Sequence, residues 1–215
     1  MKKFPDKIKA IHFLGYGEPL LHNMLPEMVK YAVKSEVAEK IDVITNGTLL
    51  SKNISDRLIE AKLDWLRISL NGLSDDDYRK NCNANINFKN LVENIQYFFA
   101  NRGKTKLYIK IFDYMIGTEE KKKKFYDIFG NICDSLSVEH LGDYINGIDF
   151  NKITKDIEPL TTRGIKLFDQ KICPMPFYML RINPDGSCTP CCDIIFRTSL
   201  GNVSETSLPD IWNGK

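Results

Sequence analysis

Over the first two thirds of the chain, short apolar runs alternate with amphipathic stretches. Residues 8–14 (IKAIHFL), 40–45 (KIDVIT), 65–70 (WLRISL), 106–115 (KLYIKIFDYM) and 134–139 read as strands by length and β-branched content. The first three stop at Gly15-Tyr16-Gly17, Asn46-Gly47 and Asn71-Gly72. Residues 23–35, 55–61, 88–100 and 119–129 read as helices between them. Asn23 is expected to cap the first, where Leu25, Met28, Val29 and Ala32 recur at helical spacing. Leu91, Ile95 and Phe98 form the expected core stripe of the third. Strand–helix alternation with connections of this length predicts parallel strands with helices packed outside them. After Gly142 the pattern breaks down, and residues 143–171 are polar and without periodicity. A hairpin is expected over 177–182 and 187–192 around Asn183-Pro184-Asp185-Gly186, followed by a short helix near 208–212. The expected division is therefore a domain over 1–145, a linker over 146–172 and a small second domain over 173–215.

Composition narrows the functional classes. The 215 residues are 43% hydrophobic and 27% charged, ordinary for a globular protein, and carry a formal charge of +2. Such a balance argues against a nucleic-acid partner, which calls for a basic face or stripe. No run reaches the ~18 consecutive apolar residues of a membrane-spanning helix, and no apolar signal core follows the N-terminal lysines. A cytosolic protein is expected. Lys121–Lys124 is expected to sit at a solvated helix start. Of six cysteines, Cys82 and Cys133 are isolated, while Cys173, Cys188, Cys191 and Cys192 fall within twenty residues. In a reducing compartment a tight cluster points to metal rather than to disulfides.

Three strand ends carry candidate chemistry. In a parallel α/β sheet, the loops after the strands build the ligand site. Gly15-Tyr16-Gly17-Glu18-Pro19 places glycines, which allow close backbone approach, beside a carboxylate able to accept hydrogen bonds from an ammonium group. Thr45-Asn46-Gly47 and Ser69-Leu70-Asn71-Gly72 set small polar groups at the same edge, suited to ribose hydroxyls and a carboxylate. The ordered run IHFLGYGEPLLHNMLPEMVKYA, VITNGTLLS, LDWLRISLNG resembles the radical S-adenosylmethionine (radical SAM) superfamily over about residues 8–140. The resemblance implies an α/β fold, a partial TIM-like (β/α)6 barrel lacking its first βα unit. It implies S-adenosylmethionine as cofactor, with Gly17, Glu18 and Pro19 at its methionine and Asn46, Ser69 and Asn71 near its ribose or carboxylate. Tyr16 stands where the family's loop has its first glycine.

In that family a Cys-x3-Cys-x2-Cys loop holds the 4Fe–4S cluster that reduces the cofactor, leaving one iron open to chelate it. No such spacing occurs in this sequence, and Cys82 and Cys133 are too far apart to replace it. The chain is expected to be a fragment of an enzyme, cut at both ends and inactive alone, with an open strand edge at residues 8–14 that promotes aggregation or dimerisation.

From Cys173 through Gly186 to Cys191 the spacing is Cys-x12-Gly-x4-Cys, and the turn between would bring the flanking thiolates together for iron–sulfur or zinc. Cys173, the Asn-Pro-Asp-Gly turn, Pro190-Cys191-Cys192, Leu200–Val203 and Leu208–Trp212 resemble a SPASM or twitch iron–sulfur domain. The resemblance implies an auxiliary 4Fe–4S cluster on Cys173 and Cys191, with Cys188 and Cys192 as further ligands. Flavodoxin or ferredoxin would serve the whole enzyme as electron donor. Its substrate, peptide, protein or small molecule, is not specified by any residue here. The alternative is a non-catalytic zinc- or iron–sulfur-binding module. His12, His22 and His140 lack metal-ligand spacing and are expected in core or on surface, His22 being near enough to the glutamate loop to touch a substrate. Lys110, Asp113 and Glu139 are placed on strands, and alternation alone leaves their face undecided. Phe98, Phe99, Phe125 and Phe129 read as core.

Overall fold

The structure is a computed structural model describing residues 7–15, 17–141, 160–166, 171–191 and 198–214. Two compact units are present, one spanning Asp6–Leu141 and one that includes Gly142–Lys215. Most of the expected linker, together with Tyr16 and Cys192, lies outside the described residues.

The first unit is a parallel five-stranded sheet in the order β1 (Ile8–Phe13), β2 (Ala38–Thr45), β3 (Trp65–Leu70), β4 (Lys106–Phe112) and β5 (Ser135–Glu139). Neighbouring strands are also consecutive in the chain, and helices fill the crossovers: α1 (Leu25–Ser35), α2 (Lys52–Glu60), α3 (Asp75–Cys82), α4 (Phe88–Asn101), α5 (Asp113–Ile116) and α6 (Glu119–Phe129). One face of the sheet supplies Ile41, Val43, Leu66, Ile68, Leu107 and Ile109, all buried in one cluster with helix residues such as Leu58, Phe98, Phe125 and Phe129. The expected stripe of α4, Leu91, Ile95 and Phe98, is buried as a unit; Phe99 is only half-buried. Because strand side chains alternate, the residues between these point to the opposite face, which among the described residues is helix-free. Among the described residues β1 pairs with β2 alone, so its other edge is open.

Helix starts follow local capping rather than apolar periodicity. Ser51 accepts from the Ile54 amide, Asn87 from Asn90 and Thr118 from Lys121, each satisfying an orphan N–H of its first turn. The helix expected from Asn23 instead begins at Leu25 without a side-chain cap, Pro26 holding its first turn. Helix α3 lies between the strand at 65–70 and the helix at 88–100, where the hydrophobic pattern predicts no element. It is capped by Ser74, which accepts from the Asp77 amide, carries Asp75, Asp76 and Asp77 in its first turn, and buries Tyr78 alone. Cys82 is thus helical, its thiol directed at the Tyr78 carbonyl. The fourth strand ends at Phe112 rather than Met115, because Asp113–Ile116 coils into a single turn closed by Gly117 at φ +44. Asp113 is therefore not a strand residue. Of the lysine run in α6, Lys121 is not merely solvated but bonds Asp77 at 2.8 Å.

Asp134 ties the N-terminal ends of β4 and β5 together. Its carboxylate accepts from Arg102 at 3.0 Å, the Leu107 amide at 2.9 Å and Lys106 at 3.1 Å. Burial opposes its charged form, but these donors outweigh burial and hold the carboxyl at about 2. A folded value below the unfolded one means stabilisation that is complete above pH ~4 and lost as pH falls toward ~2. Asp134→Asn is expected to lower the neutral-pH melting temperature and flatten the dependence of stability on pH between ~4 and ~2, measured by thermal denaturation across that range.

The second unit holds an antiparallel sheet of β6 (Arg181–Ile182), β7 (Ser187–Thr189) and β8 (Gly201–Asn202), then α7 (Leu208–Trp212). The hairpin is shorter than expected, residues 175–177 forming a 3-10 turn instead. Its turn bonds the Gly186 amide to the Asn183 carbonyl at 2.9 Å. Gly186 has φ +82, and a Cβ there would lie 2.6 Å from the Asn202 side chain, so glycine is required twice over.

Candidate active site

Parallel strands place the ends of β1, β2 and β3 on one edge. After β1 the chain turns through Gly17 to Glu18, which caps the 3-10 turn Pro19–Leu21 by accepting from the Leu20 amide at 3.0 Å. The same oxygen, Oε1, accepts from the Thr45 hydroxyl at 2.5 Å, and Oε2 accepts from the Asn46 amide at 2.8 Å. Thr45 also accepts from the Gly47 amide at 3.0 Å, and Asn46 Oδ1 receives the amide and hydroxyl of Thr48 at 2.9 and 2.6 Å. Gly47 adopts φ +78 with its Cβ direction only 3.0 Å from Ile68, which pins the turn to β3.

The expected residues are thus brought together only in part. Glu18 and Asn46 are in direct contact; Ser69 and Asn71 sit at the end of the adjacent strand and, among the described residues, bond to neither. The Asn71 backbone is held from both sides by α3: its amide donates to the Tyr78 hydroxyl at 3.3 Å, and its carbonyl accepts from Asn81 at 2.6 Å. Burial pushes the Tyr78 hydroxyl up to about 12, so it stays protonated. A Cβ at Gly72 would meet Asp77 at 2.4 Å, so the next residue packs directly on α3.

The sequence places Thr45 among the polar strand ends but does not pair its hydroxyl with Glu18. A Thr-Asn-Gly strand end facing a glutamate loop carried the signal, but which hydroxyl reaches the carboxylate depends on strand order. Thr45→Val removes a donor to Glu18 and the acceptor of the Gly47 amide, in a buried position. The expected cost is about 1–3 kcal/mol, read as a lower urea midpoint at unchanged slope.

On the helix-free face the strands present a charged belt. His12 Nδ1 lies 2.5 Å from Asp42 Oδ1. Arg67 Nε is 2.8 Å from Asp42 Oδ2, near enough for an ion pair but out of line for a hydrogen bond. Further along, Glu139 accepts from the Tyr108 hydroxyl at 2.7 Å and pairs with Lys110 at 2.6 Å. Lys110 and Glu139 therefore share one face. Asp113 bonds His140 Nδ1 at 2.6 Å beside them. His22 Nδ1 accepts from the Met24 amide at 3.2 Å, and its own amide donates to the Pro19 carbonyl at 3.0 Å, closing the 3-10 turn behind Glu18.

In the second unit Cys188 and Cys191 are buried and Cys173 is exposed, and all three are free thiols. Burial pushes the Cys188 thiol up, so a metal would have to bind it with loss of its proton. Among the described residues no three Cys, His, Asp or Glu side chains are grouped to hold a metal, and Cys192 lies outside them. The described thiols do not by themselves assemble a cluster site. Among the described residues no helix is long and apolar enough to cross a membrane.

Comparison with known proteins supplies the context of this edge. Residues 1–129 match the radical SAM superfamily, and residues 173–215 match SPASM, an iron–sulfur cluster-binding domain. GTP 3',8-cyclase of Chlorobaculum tepidum is 41% identical over 66 residues, which is 31% of this chain and 19% of that protein. A probable GTP 3',8-cyclase of Methanococcus aeolicus is 26% identical over 211 residues, 86% of this chain and 69% of that one. The chain thus spans about a fifth of the length of the first of these. Among solved structures, Streptococcus suis SuiB bound to S-adenosylmethionine superposes with a TM-score of 0.65 at 18% identity, over 94% of this chain and 54% of that one, a likeness of fold. With the family's sequence match covering more than half its length and the parallel sheet carrying the strand-end glutamate, the chain belongs to the radical SAM superfamily and ends in a SPASM iron–sulfur domain.

Proposed function

We propose that the β1–β3 edge binds S-adenosylmethionine, Glu18 receiving the methionine ammonium. The observation carrying this reading is the hydrogen-bond count at Glu18. A carboxylate offers about four acceptor sites, and three here are taken by Leu20, Thr45 and Asn46. The remaining one is held in a fixed direction at the strand ends. Gly17 adds support: its φ is not positive and a Cβ there would meet nothing within 4 Å, so neither strain nor packing in the chain calls for glycine. Space for a ligand beside the backbone does. Pro19 fixes the loop behind the carboxylate, and Asn46, Ser69 and Asn71 line the next two strand ends for ribose or carboxylate.

When a reducing cluster is also bound, S-adenosylmethionine supplies a 5′-deoxyadenosyl radical for hydrogen abstraction. The residues here bind and orient the cofactor. They include no Cys-x3-Cys-x2-Cys, so the chain as it stands is expected to bind S-adenosylmethionine without cleaving it. Flavodoxin or ferredoxin is the proposed donor to the whole enzyme, acting in the cytoplasm on a peptide, protein or small molecule. Cys173, Cys188, Cys191 and Cys192 are proposed to hold the auxiliary 4Fe–4S cluster. The non-catalytic zinc or iron–sulfur module remains the competing reading.

Calorimetric titration with S-adenosylmethionine, with GTP as a second ligand, tests the cofactor site; absence of S-adenosylmethionine binding would sink it. Anaerobic reconstitution tests the thiols. About four iron and four sulfide per chain are expected, falling in Cys191→Ser. A colourless protein holding about one zinc would favour the module instead.

A further inference from the structure

His12 and Asp42 occupy the helix-free face below the cofactor edge. They face each other directly across β1 and β2, where His12 is the register partner of Asp42. The Asp42 side chain is only 4% exposed and that of His12 is 39% exposed. An ionised carboxylate can only accept, so when the ring is neutral the tautomer that satisfies this contact has its proton on His12 Nδ1 and its lone pair on Nε2. Arg67 Nε lies 2.8 Å from the second carboxylate oxygen, within ion-pair distance. Asp42 precedes Thr45 by three residues, about 10 Å along the strand, and that odd offset turns the two side chains to opposite faces of the sheet.

We infer that His12, oriented by Asp42, is a proton-exchanging site for a substrate carrying an ionisable O–H or N–H group on the helix-free face. The substrate group gives its proton to Nε2, its bonding pair stays on oxygen or nitrogen, and Asp42 balances the imidazolium. The reverse step returns the proton to product or solvent, and no electron changes hands. Charged and titratable groups facing the site are Asp42 and Lys40 from β2 and Arg67 from β3, with Tyr108, Lys110 and Glu139 beyond them. Asp42 is a positioning residue, buried and acting through the ring. The substrate's placement rests on the cofactor reading above, but the ring chemistry does not.

His22 provides an internal control. Its Nδ1 accepts from the Met24 amide, so its outward Nε2 carries the proton. The probe is diethyl pyrocarbonate, which acylates unprotonated imidazole nitrogen, followed by peptide mass mapping of the unliganded chain at neutral pH. His12 is expected to react about tenfold faster than His22, and to lose that advantage in Asp42→Asn. Should that variant fail to fold, long-range 15N NMR of the unaltered chain decides, with the proton expected on His12 Nδ1. Equal reaction of His12 and His22, or a proton on His12 Nε2, overturns the inference. No cofactor is present in either measurement, so its failure is separate from failure of S-adenosylmethionine to bind.

Discussion

Glu18→Gln is expected to weaken S-adenosylmethionine binding by about 2–5 kcal/mol, roughly thirtyfold to several thousandfold. Glutamine keeps the size but removes the charge facing the ammonium. It also replaces one acceptor oxygen by a donor amide, and every neighbour of that carboxylate is itself a donor: the Leu20 amide, the Thr45 hydroxyl and the Asn46 amide. Whichever way the amide turns, its NH2 faces an N–H or O–H. A lower urea midpoint should therefore accompany the lost affinity. Glu18→Asp separates the two effects, retaining charge while shortening the reach, and should bind more weakly than the unaltered chain but better than Glu18→Gln. Unchanged calorimetric affinity in Glu18→Gln would confine Glu18 to capping its turn and remove it from the cofactor site.

Phe98→Ala is expected to cost about 3–5 kcal/mol, a large share of the ~5–15 kcal/mol that holds a typical domain. Phe98 is fully buried on α4, in one cluster with sheet residues including Leu66, Ile68 and Ile109. Truncation leaves a cavity that a five-stranded sheet and its covering helices cannot close without moving. Phe177→Ala, at a ring 74% exposed in the other unit, is the matched comparison and should stay within about 0.5 kcal/mol. Urea denaturation followed by circular dichroism makes the measurement. A loss below ~1 kcal/mol for Phe98→Ala would mean that this core is not packed as described.

Phe98 illustrates what can be read without a structure: a stripe at helical spacing buries itself wherever the helix docks, because the period alone selects the face. The same holds for the strands of alternating Leu66, Ile68 and Leu70, for the Asn-Pro-Asp-Gly turn, and for the helix at Leu208–Trp212. The order of loops after β1, β2 and β3 also identified the superfamily, since those short segments depend on chemistry local to each strand end. Helix α3 escaped for the complementary reason. It buries one side chain, Tyr78, and is held by the Ser74 cap and its first-turn acids, so apolar periodicity had nothing to register.

The sequence alone determined the α/β class, the parallel order of elements and the polar strand ends, since periodicity, caps and turns act over a few residues. Only the tertiary structure decided which of those polar groups meet. Glu18 and Thr45 are 27 residues apart, His12 and Asp42 30, and Lys110 and Glu139 29. Each pair forms because parallel pairing aligns distant strands in one register, and a shift of a single residue would turn His12 or Lys110 to the other face. Whether a charged strand residue faces helices or the open side is settled by that register, a long-range property that no local pattern contains.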